Sequence, residues 1–127
     1  MNDIVAFLKN KESISYIGET NNNLISDAEG KLNVQFADDY RAYISAFGVA
    51  SFDGHELTGI CSSKRLNVID VTTEEREELI PKEFYVIERL NIDGIVIWQS
   101  NTGLIYESQK KRSPQMIAET LIEYLSK

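Results

Sequence analysis

Two Asp-Gly pairs stand between short runs of β-branched and aromatic residues, and they limit the folds open to this chain. Asp53-Gly54 and Asp93-Gly94 each follow one such run and precede another. Asp-Gly supplies the positive φ angles that a tight type I′ turn needs, so each pair predicts a β-hairpin. Strands joined by such short turns must be antiparallel, because a parallel pair needs a long crossover connection. The pattern therefore argues against a Rossmann or barrel fold.

The second hairpin continues into a third strand. The segment 101–103 supplies another turn, so 84–107 is predicted as a three-stranded antiparallel meander. A β-branched run over 66–71 predicts a separate strand before it. Thr72 and Glu75 then fit a capping box, which predicts one or two helical turns that end before Pro81.

Helical periodicity dominates the N-terminal part of the chain. Apolar spacing over 2–10 predicts a short helix that Asn2 or Asp3 could cap. The polar run 20–23 reads as a loop, and the S-x-x-E pattern from Ser26 to Glu29 predicts a helix start at Ser26.

A second N-terminal helix is predicted over 38–47, and Gly48 ends it. Its apolar and aromatic stripe is interpreted as core: Tyr40, Tyr43, Ile44 and Phe47. Ser113-Pro114 resembles a helix cap followed by proline at the first helical position, which predicts a C-terminal helix. The predicted buried side of that helix holds Met116, Ile117, Leu121, Ile122 and Leu125.

This order of elements predicts one α+β domain over residues 1–127. Helices come first, strands follow, and a helix closes the chain, so the sheet is expected to be antiparallel or mixed and flanked by helices. Neither an internal repeat nor a linker interrupts it.

The charge balance restricts the partners of the chain. Thirteen Lys and Arg stand against twenty Asp and Glu, a formal net charge of −7. Such a surface repels nucleic acid and anionic membranes and favours a basic protein partner. The only basic run, 110–112, reads as a solvated loop. A lone Cys61 allows no internal disulfide, and the longest apolar run is too short for a membrane helix or secretory signal, so a cytoplasmic protein is expected.

Catalytic and metal motifs are weak. His55 is the only histidine, and His55-Glu56 fails as a zinc-protease motif because Gly59 stands where the second histidine should be. A hydrogen-bonded or solvated role is the plain interpretation of His55, and a packing role that of Cys61. No cofactor or metal is expected, and an enzyme that uses His55 and Cys61 stays as an alternative.

Four short blocks occur in order along the chain, and together they resemble the SUKH superfamily, the Smi/Knr-type domains. The blocks are 25–48, 52–60, 67–72 and 103–107. The chain departs from the usual family residues at Asn33 and at Phe36-Ala37. The resemblance implies an α+β domain and a non-catalytic bacterial immunity protein that occludes a cognate toxin domain, frequently a nuclease. Separately, we expect a monomer or weak homodimer. Other members are regulatory or scaffolding modules, which stays as the second alternative.

Charge and expected exposure, rather than the family, select the candidate partner contacts. Acids near the predicted sheet turns are Asp53, Glu56, Asp93 and Glu107, and those on the predicted helix after Val71 are Glu74, Glu75 and Glu78. An acidic surface would gain fast association with a basic toxin through electrostatic steering. Glu56 and Gly59 match the family hairpin, so a structural role is equally open for both.

Overall fold

The computed structural model describes residues 3–127, which form an α+β domain. The helices are α1 (Ile4–Lys9), α2 (Asn22–Leu32), α3 (Asp38–Phe47), α4 (Val68–Glu75) and α5 (Leu121–Leu125). The strands are β1 (Ser15–Tyr16), β2 (Ala50–Phe52), β3 (His55–Glu56), β4 (Tyr85–Arg89), β5 (Val96–Gln99), β6 (Ile105–Ser108) and β7 (Gln115–Ala118). The predicted fold class is confirmed.

The strands form two antiparallel sheets, in the orders β1-β2-β3 and β4-β5-β6-β7. A backbone hydrogen bond from Thr58 N–H to the Ile87 carbonyl (2.9 Å) connects the chain after β3 to β4. Core side chains cover both faces of the larger sheet. Tyr85 and Ile87 belong to the main core with α1, α3 and α5, whereas Val86 packs with Trp98 on the opposite face.

Both predicted Asp-Gly hairpin turns are present. Asp53 and Gly54 have φ angles of 47° and 83°, and Asp93 and Gly94 have 54° and 67°. These angles are the ones a type I′ turn requires, so the two turns and the meander over β4, β5 and β6 are confirmed. The sequence predicts the second strand of the first hairpin over 55–60, but β3 ends at Glu56, before the chain crosses to β4.

The first and third helices agree with the sequence. Asp3 occupies the N-cap position of α1 without a side-chain hydrogen bond, and the other suggested cap, Asn2, lies outside the described residues. Helix α3 spans the predicted range and ends at Gly48, which has a φ of 76°. Its stripe of Tyr40, Tyr43, Ile44 and Phe47 is buried, which confirms the core interpretation.

The predicted start of α2 at Ser26 is wrong. The helix begins at Asn22, because the Asn21 side chain caps it by accepting from the Asn23 N–H (2.6 Å). Ser26 and Glu29 therefore lie inside the helix and form no capping box. The Glu29 carboxylate instead accepts from the Phe36 N–H at 2.8 Å, which ties the end of α2 to the segment before α3.

The predicted strand over 66–71 is also wrong, because α4 starts within it. The Asn67 side chain caps α4 by accepting from the Ile69 N–H (2.9 Å). Thr72 caps nothing: it is buried in α4, where its hydroxyl accepts from the Val86 N–H (3.0 Å). Packing against β4 thus outweighs the β propensity of this run.

The C-terminal helix is shorter than predicted, since residues 115–118 form β7. Met116 pairs with Tyr106 of β6 and is exposed rather than buried. Helix α5 begins at Leu121, and the Thr120 hydroxyl caps it by accepting from the Glu123 N–H (3.0 Å). Between residues 3 and 127, no helix combines the length and the apolar character that a membrane crossing would need.

Candidate partner-binding surface

Arginine side chains accompany three of the seven acids predicted to contact a partner. Both carboxylate oxygens of Glu56 accept from the Arg65 guanidinium, one at 2.8 Å, and this lowers the pKa of Glu56. Arg89 donates to Glu74 (3.0 Å) and to Glu75 (3.2 Å). The two arginines flank a polar surface cleft of about 420 Å³. Internal ion pairs therefore compensate much of the negative charge at these three positions.

The other four predicted contacts are not among the residues that line that cleft. Asp53 pairs with Lys11 at 3.3 Å in the β2–β3 turn. Glu78 lies on the exposed segment after α4, and Asp93 is exposed in the β4–β5 turn. Glu107 is half-buried on β6. The structure thus distributes the seven acids over several surfaces instead of bringing them into one site.

A larger cleft, of about 760 Å³, contains none of the seven acids. Four other carboxylates border it, from Asp3, Asp38, Asp39 and Glu119, and no lysine or arginine is among the described residues that line it. Three distant chain segments supply these acids. Sequence reasoning missed them because no local pattern indicates that the segments meet.

Buried hydrogen bonds fix the floor of this acidic cleft. The Tyr85 hydroxyl accepts from the Ala37 N–H (2.9 Å) and donates to Gln99 Oε1 (2.7 Å), and burial raises the pKa of Tyr85 well above its usual value. Gln99 Nε2 donates in turn to Asp39 Oδ1 at 2.9 Å, while Asp39 Oδ2 accepts from the Leu121 N–H at 3.0 Å. Asp39 therefore joins α3 to α5, which gives it a structural role.

A second buried network centres on Glu88, whose side chain is only 2% exposed. It lies where the β4–β5 register shifts by one residue. The carboxylate accepts from the Glu56 N–H (2.6 Å) and the Tyr124 hydroxyl (2.6 Å), and His55 Nδ1 lies 3.0 Å from Oε1. Burial, followed by the Glu88 charge, raises the pKa of Tyr124. Glu88 thus holds the β2–β3 hairpin and α5 on the sheet.

His55 and Cys61, the two residues of the alternative enzyme hypothesis, contact different partners. His55 contacts Glu88, which agrees with the prediction of a hydrogen-bonded side chain. The half-buried Cys61 has its Sγ 3.5 Å from the Ser63 carbonyl oxygen. Among residues 3–127, no three His, Cys, Asp or Glu side chains come together in a group that could hold a metal ion.

Gly59 has a structural role, which the sequence had left open for it. A Cβ atom at this position would lie 1.7 Å from the Gly48 carbonyl oxygen, so only glycine fits. The close approach brings the end of α3 against the chain after β3. Gly59 also forms a parallel bridge with Asn67, the residue that caps α4.

A family model described as SUKH_5, SMI1-KNR4 cell-wall, matches residues 1–127. The chain therefore belongs to the SMI1-KNR4 (SUKH) family, and the resemblance seen in the order of its sequence blocks is confirmed. This family is generally non-catalytic, and membership indicates a role in protein–protein interaction. No curated protein matches the sequence.

Proposed function

We propose that this protein is a bacterial immunity protein that binds a cognate toxin domain and neutralises it by stoichiometric occlusion. The observation that carries the proposal is the SUKH family match along the whole chain. The net charge of −7 supports a basic partner, such as a nuclease toxin with a cationic active-site surface. The protein acts in the cytoplasm as a monomer or weak homodimer, without a cofactor and without direct contact to nucleic acid or membrane.

In this proposal, electrostatic steering by the acidic surface speeds the association with a basic toxin domain. The association rate should fall as salt rises, because the Debye length shrinks from ~10 Å at 0.1 M to ~3 Å at 1 M. Dissociation should change less. Of the seven candidate contacts, Glu78 and Asp93 are exposed and form no ion pair with any described residue, so they contribute most to this field.

Co-expression and titration test the proposal. The probe is the toxin domain encoded beside the gene for this protein. Co-expression should protect cells from it, and purified toxin activity should reach zero near an equimolar ratio. Complete neutralisation at a small fraction of that ratio would point to enzymatic inactivation, and a lack of both protection and binding would refute the immunity role.

The family description, SMI1-KNR4 cell-wall, favours a second candidate function, a non-catalytic regulatory or scaffolding module. The two candidates differ in what a deletion strain shows. A regulator of cell-wall synthesis should alter sensitivity to cell-wall antibiotics when no toxin is present. An immunity protein should leave that sensitivity unchanged and make the strain vulnerable only to the toxin.

A further inference from the structure

The two sheets have four edge strands, β1 and β3 in one and β4 and β7 in the other. An edge strand presents unpaired backbone groups and can accept a strand from another protein. The opposite edges, β3 and β4, are covered: Thr58 hydrogen-bonds to the Ile87 carbonyl, and Thr72 to the Val86 N–H. Among the described strands, β1 and β7 therefore remain as the edges at which a partner strand could join.

The β7 edge carries three features that natural proteins use to prevent strand addition. Its register with β6 shifts so that Ile117 is an extra, bulged residue. The Lys127 ammonium donates to the Ile117 carbonyl oxygen, which occupies a backbone acceptor. The basic run 110–112 precedes the strand. These features make β7 a protected edge.

The β1 edge has no such protection. The Ile17 N–H donates to the Phe47 carbonyl (3.1 Å) and to the Val49 carbonyl (3.4 Å), so its backbone faces the segment that leads into β2. Because neighbouring residues of a strand point their backbone groups in opposite directions, the N–H and C=O of Tyr16 point away from β2. The β1–β2 register contains no bulge, and 14–17 includes neither lysine nor proline. Residues 15–17 are all exposed.

Two large apolar side chains accompany these free backbone groups. Tyr16 is 56% exposed and Ile17 is 64% exposed. They are held in place, since the Tyr16 ring packs edge-on against Phe47 with centroids 5.1 Å apart and the Gly18 N–H donates to the Phe47 carbonyl (2.9 Å). Beside them lies a groove of about 210 Å³. A rigid exposed tyrosine next to a groove is typical of a binding hot spot, because little side-chain freedom remains to be lost.

The flanking charges distinguish between possible occupants. Glu12 and Glu19 lie on either side of the strand, and both are exposed and form no ion pair with a described residue. Antiparallel pairing with a second copy would set Glu12 of one chain near Glu19 of the other, which is repulsive. A partner segment that has Lys or Arg on both sides of an apolar centre would be attracted at both ends.

We propose that the β1 edge, defined as residues 12–19, binds a short extended segment of a basic partner protein by strand addition. The segment hydrogen-bonds to Tyr16, covers Ile17 and places its basic residues beside Glu12 and Glu19. This inference rests on the proposed function, because the toxin domain is the partner. The proposal places the partner on the side of the molecule that carries the β2–β3 hairpin, because Glu56 lines the same groove. It does not place the partner on the side that carries Glu78.

A matched pair of alanine variants tests the side-chain contact. Ile17→Ala and Ile92→Ala remove the same atoms from residues that are 64% and 65% exposed, on different surfaces. Binding of the adjacent-gene toxin domain is measured by surface plasmon resonance, with circular dichroism and Tm as folding controls. Ile17→Ala should weaken binding roughly tenfold to thirtyfold and Ile92→Ala less than about twofold. Equal effects, or no effect of Ile17→Ala, would overturn the proposal.

A second pair isolates the backbone contact at Tyr16. Tyr16→Ala and Tyr16→Pro both delete the ring, but only proline also removes the N–H that points away from β2. If a partner strand pairs with β1, the Tyr16→Pro variant should bind the toxin domain clearly more weakly than the Tyr16→Ala variant. Both variants should remain folded. Equal affinity of the two folded variants would show that no strand is added there.

Charge reversal tests the identity of the occupant. The double variant Glu12→Lys, Glu19→Lys should slow association far more than Glu77→Lys, Glu83→Lys, which changes the net charge by the same amount elsewhere. Equal slowing would indicate only the general field of the molecule and would contradict local recognition.

A peptide experiment decides the question even if the immunity role fails. ¹⁵N-labelled protein is titrated with a synthetic Val-Thr-Val-Thr peptide that has paired lysines at both ends, and with the same peptide carrying glutamates. Amide shifts confined to 12–19 with the lysine peptide alone support the proposal. Shifts at 115–118, or none with either peptide, overturn it. Failure of the toxin domain to bind wild-type protein would refute only the proposed function.

Discussion

Replacing Glu88 with alanine should destabilise the protein severely, because three donors depend on its carboxylate. The Glu56 N–H and the Tyr124 hydroxyl, each 2.6 Å away, and His55 Nδ1 at 3.0 Å would lose their acceptor in a buried environment. The side chain also connects the β2–β3 hairpin, the sheet and α5, so no single element can move to restore the lost contacts.

The expected magnitude follows from these contacts. A hydrogen bond to a charged group contributes about 1.5–3 kcal/mol, and the three do not add fully because deleting the carboxylate also removes its own desolvation cost. A net loss of about 3–5 kcal/mol is expected, as for other broken buried pairs. For a domain of this size, that corresponds to a fall in Tm of roughly 10–20 °C.

Urea unfolding followed by circular dichroism measures the effect. The midpoint should fall with an unchanged m value, and the loss should rank Glu88→Ala above Glu88→Gln, with Tyr124→Phe smallest at about 1 kcal/mol. The Glu88→Gln variant keeps one acceptor oxygen, but its NH₂ group cannot accept from the donors that contacted the other carboxylate oxygen. A Glu88→Ala protein within about 1 kcal/mol of wild type would show that the network contributes little to stability, contrary to this reasoning.

Two further predictions concern glycine and tyrosine. Gly59→Ala should cost more than about 3 kcal/mol in unfolding free energy, because its Cβ would lie 1.7 Å from the Gly48 carbonyl oxygen. Gly30→Ala, inside α2 with open space around it, should instead stabilise by about 0.5–1 kcal/mol, and similar effects at both sites would contradict the packing argument. Burial raises the pKa of four tyrosines: Tyr40, Tyr43, Tyr85 and Tyr124. Since tyrosines of the unfolded chain ionise near pH 10, their contribution to stability is complete below about pH 10 and is lost above it. In an alkaline titration, the tyrosinate absorbance of these residues should rise together with the loss of circular dichroism, and its appearance in a fully folded protein would refute the prediction.

Local turn chemistry made the antiparallel parts of the fold predictable. Asp53-Gly54 and Asp93-Gly94 determine the positions of two hairpins without any knowledge of tertiary contacts. Helix α3 was equally predictable from the sequence, because the spacing of its aromatic residues and the position of Gly48 are local signals that agree with its burial. Each of these segments has one local preference that its tertiary environment also favours.

The wrong predictions arose where local signals conflicted with distant partners. The β-branched run at Val68 forms a helix because two hydrogen bonds stabilise it. Asn67 caps the helix, and the Val86 N–H donates to the Thr72 hydroxyl. Pro114 suggested a helix start, yet 115–118 pairs with β6 as an edge strand. Such outcomes depend on residues far away in the chain, which periodicity cannot reveal.

The candidate surfaces were less predictable than the fold. Net charge indicated a basic partner, but the sequence could not show that Arg65 and Arg89 would pair with Glu56, Glu74 and Glu75. Exposure of Tyr16 and Ile17 likewise depends on the sheet order that leaves β1 at an edge. The spacing of apolar and polar residues in the sequence indicates neither these ion pairs nor the exposure of Tyr16 and Ile17.

The bond between Asp39 and the Leu121 N–H has a consequence for folding time. It joins residues separated by 82 positions, and it forms one end of the buried chain through Gln99 and Tyr85. Contacts this distant in sequence slow folding, because a long loop must close before they form. The first turn of α3 therefore gains this hydrogen bond only once the chain extends to Leu121 and α5 packs on the domain, so we expect the contact to form late in folding.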